Sequence, residues 1–155
     1  MSYRVAFVCT GNICRSPMAQ AVAGKLLRER GITDVEVDSF GFDRWHVGQQ
    51  ADPRALSTLH AHGLDIDHCA RTITAEDIAE RDLLIAIDRG HEDDLRALAN
   101  TVEDGAKVRL LRSYDPHADS PDVPDPYYGG EEGFEREYAM IETACRGLVE
   151  DLARR

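Results

Sequence analysis

Near the N-terminus the chain runs Val5-Ala6-Phe7-Val8, then Cys9-Thr10-Gly11-Asn12-Ile13-Cys14-Arg15-Ser16, then Pro17-Met18-Ala19-Gln20-Ala21-Val22. An apolar strand, a tight loop with one glycine and a helix start follow in immediate succession. Such a layout turns the N–H groups of a loop and a helix N-terminus toward one point, which makes an anion site. Arg15 adds a planar charged fork matched to anionic oxygens. Cys9, where strand meets loop, would stand in that positive field, which favours thiolate over thiol. A nucleophile beside an oxyanion cradle points to covalent transfer of an anionic group, phosphoryl above all.

Two plainer readings compete. Cys9 could be a buried apolar cysteine at a strand end. Cys9 and Cys14 could both ligate a metal, although their spacing is long and no paired His/Cys motif completes a set. A nucleotide-binding Walker loop is excluded, because no Gly-Lys-Ser/Thr follows.

The remainder of the chain alternates strand and helix signals. Tyr3 to Cys9 reads as a buried strand, followed by a helix from Pro17 to about Arg30, with Ser16 as N-cap and Gly31 closing it. Val35 to Ser39 alternates as a second strand, and a long loop from Phe40 to Ala51 holds Trp45. Asp52-Pro53 opens a helix ending near Gly63. Thr74 with Asp77 forms a capping box for a short helix. Asp82 to Asp88 reads as a third strand buried on both faces, residues 91–99 as a helix and Lys107 to Leu111 as a fourth strand. Arg112 to Gly130 is irregular and carries four of the six prolines. A last helix starts near Glu131. This order implies one domain over residues 1–155, of the α/β class: a doubly wound, four-stranded parallel sheet in the order 2-1-3-4 with helices on both faces. The site belongs at the carboxyl ends of the strands.

A net charge of −11 argues against nucleic-acid binding and leaves any attraction for an anion to the neighbourhood of Arg15. Four scattered cysteines do not make a disulfide scaffold. With no standard signal segment and no run of transmembrane length, a cytoplasmic, membrane-free setting is expected.

Cys9-Thr10-Gly11-Asn12-Ile13-Cys14-Arg15-Ser16-Pro17-Met18-Ala19 resembles the active-site signature of the low-molecular-weight protein tyrosine phosphatases. Trp45-His46-Val47-Gly48, Asp52-Pro53-Arg54, His62-Gly63, His68-Cys69-Ala70-Arg71 and Asp125-Pro126-Tyr127-Tyr128-Gly129 follow in that family's order and spacing. The resemblance implies a metal- and cofactor-independent phosphatase acting on phosphotyrosine proteins, a tyrosine kinase among the candidates. Cys9 would attack phosphorus to form phosphocysteine. Arg15 and the amides of residues 10 to 15 (Thr10, Gly11, Asn12, Ile13, Cys14, Arg15) would hold the equatorial oxygens, and Asp125 would protonate the leaving phenolate and then activate water. Asp115 is the nearest rival for that last role.

Ser16 would donate to the thiolate, and Ser39 and His68 resemble the family's partners of Asn12. Ile13, Trp45, Tyr127 and Tyr128 resemble the walls of its pocket. Ile13 and the paired tyrosines favour phosphotyrosine over the related protein-arginine phosphatases. Cys69 and Cys145 do not resemble the relay pair of the related arsenate reductases. A phosphate- or phosphotyrosine-binding module without turnover is the non-enzymatic alternative. Cys14 resembles a resolving cysteine that would trap oxidised Cys9 as a disulfide. Phe40 departs from the pattern, which usually has alanine there, and a bulky ring beside Ser39 must repack.

Overall fold

In the computed structural model, residues 2–126 and 130–155 are described. Four strands, β1 (Tyr3–Cys9), β2 (Val35–Gly41), β3 (Leu83–Ala86) and β4 (Val108–Leu110), form one parallel sheet in the order β2-β1-β3-β4. Helices α1 (Arg15–Glu29), α2 (Pro53–Ala61), α3 (Ala75–Ala79), α4 (Arg89–Leu98), α5 (Val102–Gly105) and α6 (Gly130–Ala153) connect and cover it, with a 3₁₀ turn at Leu111–Tyr114. None of the described helices is long and apolar enough to cross a membrane.

Alternation along β1 builds two cores from one strand. Val5, Phe7 and Cys9 face α1, α2 and α6, packing with Met18, Leu59, Phe134, Ile141 and Leu148. Ala6 and Val8 face α3 and α4, packing with Phe40, Ile78, Leu84 and Leu95. Both faces of β1 and β3 are covered, which is why their sequences are continuous apolar runs. The register pairs Cys9 with Gly41 and Val8 with Ala86, so the carboxyl ends of β1, β2 and β3 open on one edge.

Several boundaries differ from those expected. Strand β2 continues through Phe40 and Gly41, because Gly41 stays paired with β1 and donates its N–H to Arg71 O. Strand β3 stops at Ala86, and helix α4 starts at Arg89 because the Asp88 carboxylate caps it by accepting from His91 N. The short helix α5 was not anticipated, although Thr101 caps Asp104 N as Thr74 caps Asp77 N. The α1 C-terminus closes at Gly31, with Ile32 N donating to Leu27 O.

Helix α6 crosses the 3₁₀ turn with no space between backbones: a Cβ on Gly147 would stand 2.0 Å from Tyr114 O. Gly147→Ala is therefore expected to lower unfolding free energy by about 2 kcal/mol or more, measured by urea titration. An unchanged midpoint would show that the crossing relaxes freely.

Candidate active site

The β1–α1 turn is built around Asn12, whose backbone is left-handed at φ 57°. Its side chain is fully committed. Nδ2 donates to Ser16 Oγ (2.9 Å) and Ser39 Oγ (3.0 Å), and Oδ1 accepts from Arg71 N (3.0 Å). Ser39 Oγ in turn donates to Gln20 Oε1 at 2.7 Å, and His68 Nε2 lies 2.6 Å from Asn12 O. Beneath the turn, a Cβ on Gly41 would stand 2.7 Å from Thr10 O and 3.0 Å from Asn12 N, so only glycine fits. Among the described residues the amides of Gly11, Asn12, Ile13 and Cys14 donate to no backbone acceptor. Unpaired amides gathered in one turn are what an anion site requires.

Helix α1 begins at Arg15, not at Pro17, and Ser16 is not its N-cap: Cys14 holds that position without a side-chain cap. The Ser16 hydroxyl is engaged elsewhere, 3.0 Å from Cys9 Sγ. Because Ser16 Oγ accepts from Asn12 Nδ2, its own proton is free to point at the sulfur, with Phe40 O the more distant choice at 3.4 Å. Pro17 is tolerated in the first turn, where N–H groups have no intrahelical partner.

Arg15 is 4% exposed. Its Nη1 donates to Val123 O (2.8 Å) and Asp88 Oδ2 (3.1 Å), and its Nη2 lies 3.7 Å from Asp125 Oδ2. One cleft of about 270 Å³ is lined by Cys9, Thr10, Gly11, Ile13, Cys14, Arg15, Asp43, Trp45, His46 and Asp125. Trp45, 85% exposed, stands on its rim. Asp115, the rival to Asp125, is absent from that lining and accepts from His117 N below the 3₁₀ turn. Tyr127 and Tyr128, expected in the pocket wall, lie outside the described residues.

The remaining cysteines separate clearly. Cys14 is buried, and burial, then the nearby Asp52 carboxylate, push its thiol well above the usual range. Hydrogen bonds from Arg54 hold Asp52 below the usual carboxylate range, against its burial. Cys145 is wholly buried against α1, while Cys69 is exposed. The ligand-pair reading of Cys9 and Cys14 finds no third donor: no group of three His, Cys, Asp or Glu side chains among the described residues is arranged to hold a metal ion.

Phe40 points away from the site. Strand alternation sends its ring to the α3 side, where the guanidinium groups of Arg71 and Arg81 lie 4.0 and 4.9 Å from its centroid, both paired to Asp38. Ser39 keeps the opposite face and its bond to Asn12.

Residues 4–155 match the family model for low molecular weight phosphotyrosine protein phosphatases. The chain belongs to that family. It is 52% identical over 152 residues to the low molecular weight protein-tyrosine-phosphatase of Streptomyces coelicolor, covering 96% of this chain and 93% of that protein. A protein tyrosine phosphatase from Entamoeba histolytica, crystallised with Hepes in its active site, superposes with a TM-score of 0.95 at 34% identity, covering 99% and 98% of the two chains. A Drosophila arginine phosphatase superposes with a TM-score of 0.90 at 34% identity, covering 96% of each.

In this phosphatase, sequence reasoning missed Asp88 and His91. Asp88 carries a weak signal, an acidic residue at the carboxyl end of a buried strand. His91 carries none. Its Nε2 is 2.8 Å from Thr10 Oγ1, and burial, countered in part by Asp88, lowers its pKa to about 4. Between pH about 6.5 and about 4 the unfolded chain binds a proton that the folded chain refuses, so His91 withdraws stability as pH falls through that window. Glu137, raised to about 7 by burial, titrates in the opposite sense, so comparison with His91→Gln isolates the histidine. Wild type is expected to lose about 3 kcal/mol relative to His91→Gln from pH 7 to pH 4 in denaturant titrations. Parallel pH curves would contradict this.

Proposed function

We propose that the protein hydrolyses phosphotyrosine in protein substrates through a phosphocysteine intermediate. The observation that carries this is one cleft in which a serine-bonded cysteine, a buried arginine and a half-exposed aspartate converge. In this reading the thiolate of Cys9 attacks phosphorus in line with the departing phenol oxygen. Arg15 and the unpaired loop amides hold the three equatorial oxygens, where transition-state charge resides. The bound phosphoryl group takes over the Arg15 contact that Asp125 otherwise makes. The carboxyl then stands, with its proton, by the leaving oxygen. Once phenol departs, the same carboxylate takes a proton from water as that water attacks phosphocysteine, and the Ser16 hydroxyl stabilises the returning thiolate.

Support for a phosphorylated phenol comes from Ile13 and Trp45, which give the cleft an apolar side that accepts an aromatic ring. Phosphoproteins are the substrates in this reading, with tyrosine kinases worth assaying among them, and reduced cysteines fit a cytoplasmic setting. Cys14 serves as a reversible guard: peroxide oxidises Cys9 to sulfenic acid, and the Cys14 sulfur then displaces water to leave a Cys9–Cys14 disulfide. Its support is the placement of both thiols at the two ends of one turn, near enough for Cys9 to act on the Cys14 charge.

Cys9→Ser is expected to abolish aryl phosphate turnover while leaving phosphate binding intact, checked by a colourimetric assay and by calorimetry with inorganic phosphate. Retained turnover would end the proposal. Asp125→Ala should lower kcat by about 10²–10⁴, less for substrates with good leaving groups, while Asp115→Ala stays near wild type. Phosphotyrosine, phosphoarginine and arsenate assayed on one preparation separate the related chemistries, and phosphotyrosine should be turned over fastest.

A further inference from the structure

The anion loop has two ends, Thr10 next to the nucleophile and Arg15 at the start of α1, and one side chain outside the loop reaches toward both. His91 is 4% exposed. Its backbone N–H donates to Asp88 Oδ1 at 2.9 Å, its Nδ1 lies 3.1 Å from the same oxygen, and its Nε2 is 2.8 Å from Thr10 Oγ1. The other Asp88 oxygen accepts from Arg15 Nη1. Phe42, just past β2, lies nearly parallel to the imidazole, with ring centroids 6.1 Å apart. We propose that His91 is a positioning residue for phosphoryl transfer, a clamp that joins Thr10 to the Asp88–Arg15 pair and so holds both ends of the anion loop in register. The inference rests on the phosphatase reading above.

The protonation state follows from the surroundings. Nδ1 faces a carboxylate oxygen that can only accept, so the ring proton belongs on Nδ1, and Nε2 accepts from the Thr10 hydroxyl. The Nδ1 contact meets no full hydrogen-bond geometry and is an electrostatic one. The charged groups facing the ring are Asp88 and Asp94 from the α4 side, Arg15 from the loop and Asp125 from the proline-rich segment. A neutral ring leaves the Asp88 charge to Arg15. A protonated ring would compete with Arg15 for Asp88 and would reverse the bond to Thr10. Arg15 would then hold one of its partners less firmly and keep Val123 O alone on Nη1, and small misplacements of such a group are costly in rate.

The test compares wild type with His91→Ala, His91→Gln, Thr10→Val and the His91→Ala/Thr10→Val double variant, each checked for folding by circular dichroism. For each, kcat and KM on an aryl phosphate and the affinity for inorganic phosphate are measured. His91→Ala and Thr10→Val should each lower kcat/KM about tenfold, and the double variant should fall no further than the worse single one. His91→Gln, whose amide reaches the Nε2 position, should restore most of the rate. Wild-type kcat/KM in folded His91→Ala, losses that multiply in the double variant, or a His91→Gln protein as poor as His91→Ala would each overturn the clamp. If His91→Ala does not fold, Thr10→Val decides, and wild-type kcat/KM there overturns it. A wild-type protein inactive on aryl phosphate would instead end the functional reading. Phosphate affinity then judges the clamp alone: weakening of about threefold or more in the variants supports it, and unchanged affinity overturns it.

Discussion

Everything at the site depends on the left-handed backbone of Asn12. Among the described residues it is the one non-glycine position with positive φ, a conformation that costs an ordinary residue about 1–2 kcal/mol. Its side-chain amide recovers that cost through bonds to Ser16, Ser39 and Arg71 N, each contributing about 1 kcal/mol. Because both amide hydrogens and the amide oxygen are spoken for, the turn has one arrangement. That arrangement leaves the loop amides without backbone acceptors and sets the Ser16 hydroxyl on Cys9. The same bonds explain why β2 must run on to Gly41: Ser39 and Arg71 N reach Asn12 only when the strand and the segment after His68 are drawn up behind the turn.

Charge is handled locally. A chain with a net charge of −11 meets an anionic substrate with a repulsive overall field, yet the cation at the cleft is buried and three carboxylates around it have cationic partners. Asp88 belongs to Arg15, Asp52 belongs to Arg54 and Asp38 belongs to Arg71 and Arg81. Cys14 stays a thiol because burial and Asp52 oppose its ionisation. Two cysteines five positions apart in sequence therefore stand in different surroundings: Cys9 meets the Ser16 hydroxyl in the cleft, while Cys14 is held neutral in the wall of the same turn.

Much of this was legible in the sequence, for identifiable reasons. The parallel sheet and the strand cores follow from apolar runs and from the alternation of strand and helix. The cradle follows from a cysteine and an arginine bracketing a glycine-containing loop. Helix α1 was misjudged at its start, because Ser-Pro is a strong N-terminal signal; Ser16 was expected both to cap the helix and to donate to Cys9, and a hydroxyl held by Cys9 and Asn12 does only the second. Phe40 looked like an intruder because its chain neighbours are functional. Only its alternation onto the other face, between two arginines, removes the conflict. His91 was invisible, since its partners Thr10 and Phe42 are distant in sequence and meet only where three strand ends converge.

The covalent step is the point at which the geometry is most exposed to experiment. Asp125→Ala protein, slowed in both half-reactions, can be mixed with an aryl phosphate, quenched in acid within a turnover and mapped by mass spectrometry. The mass of one phosphoryl group should appear on the peptide carrying Cys9 and be absent when Cys9→Ala is combined with it. A phosphoryl group on another residue, or turnover without any covalent adduct in burst kinetics, would contradict Cys9 as the nucleophile.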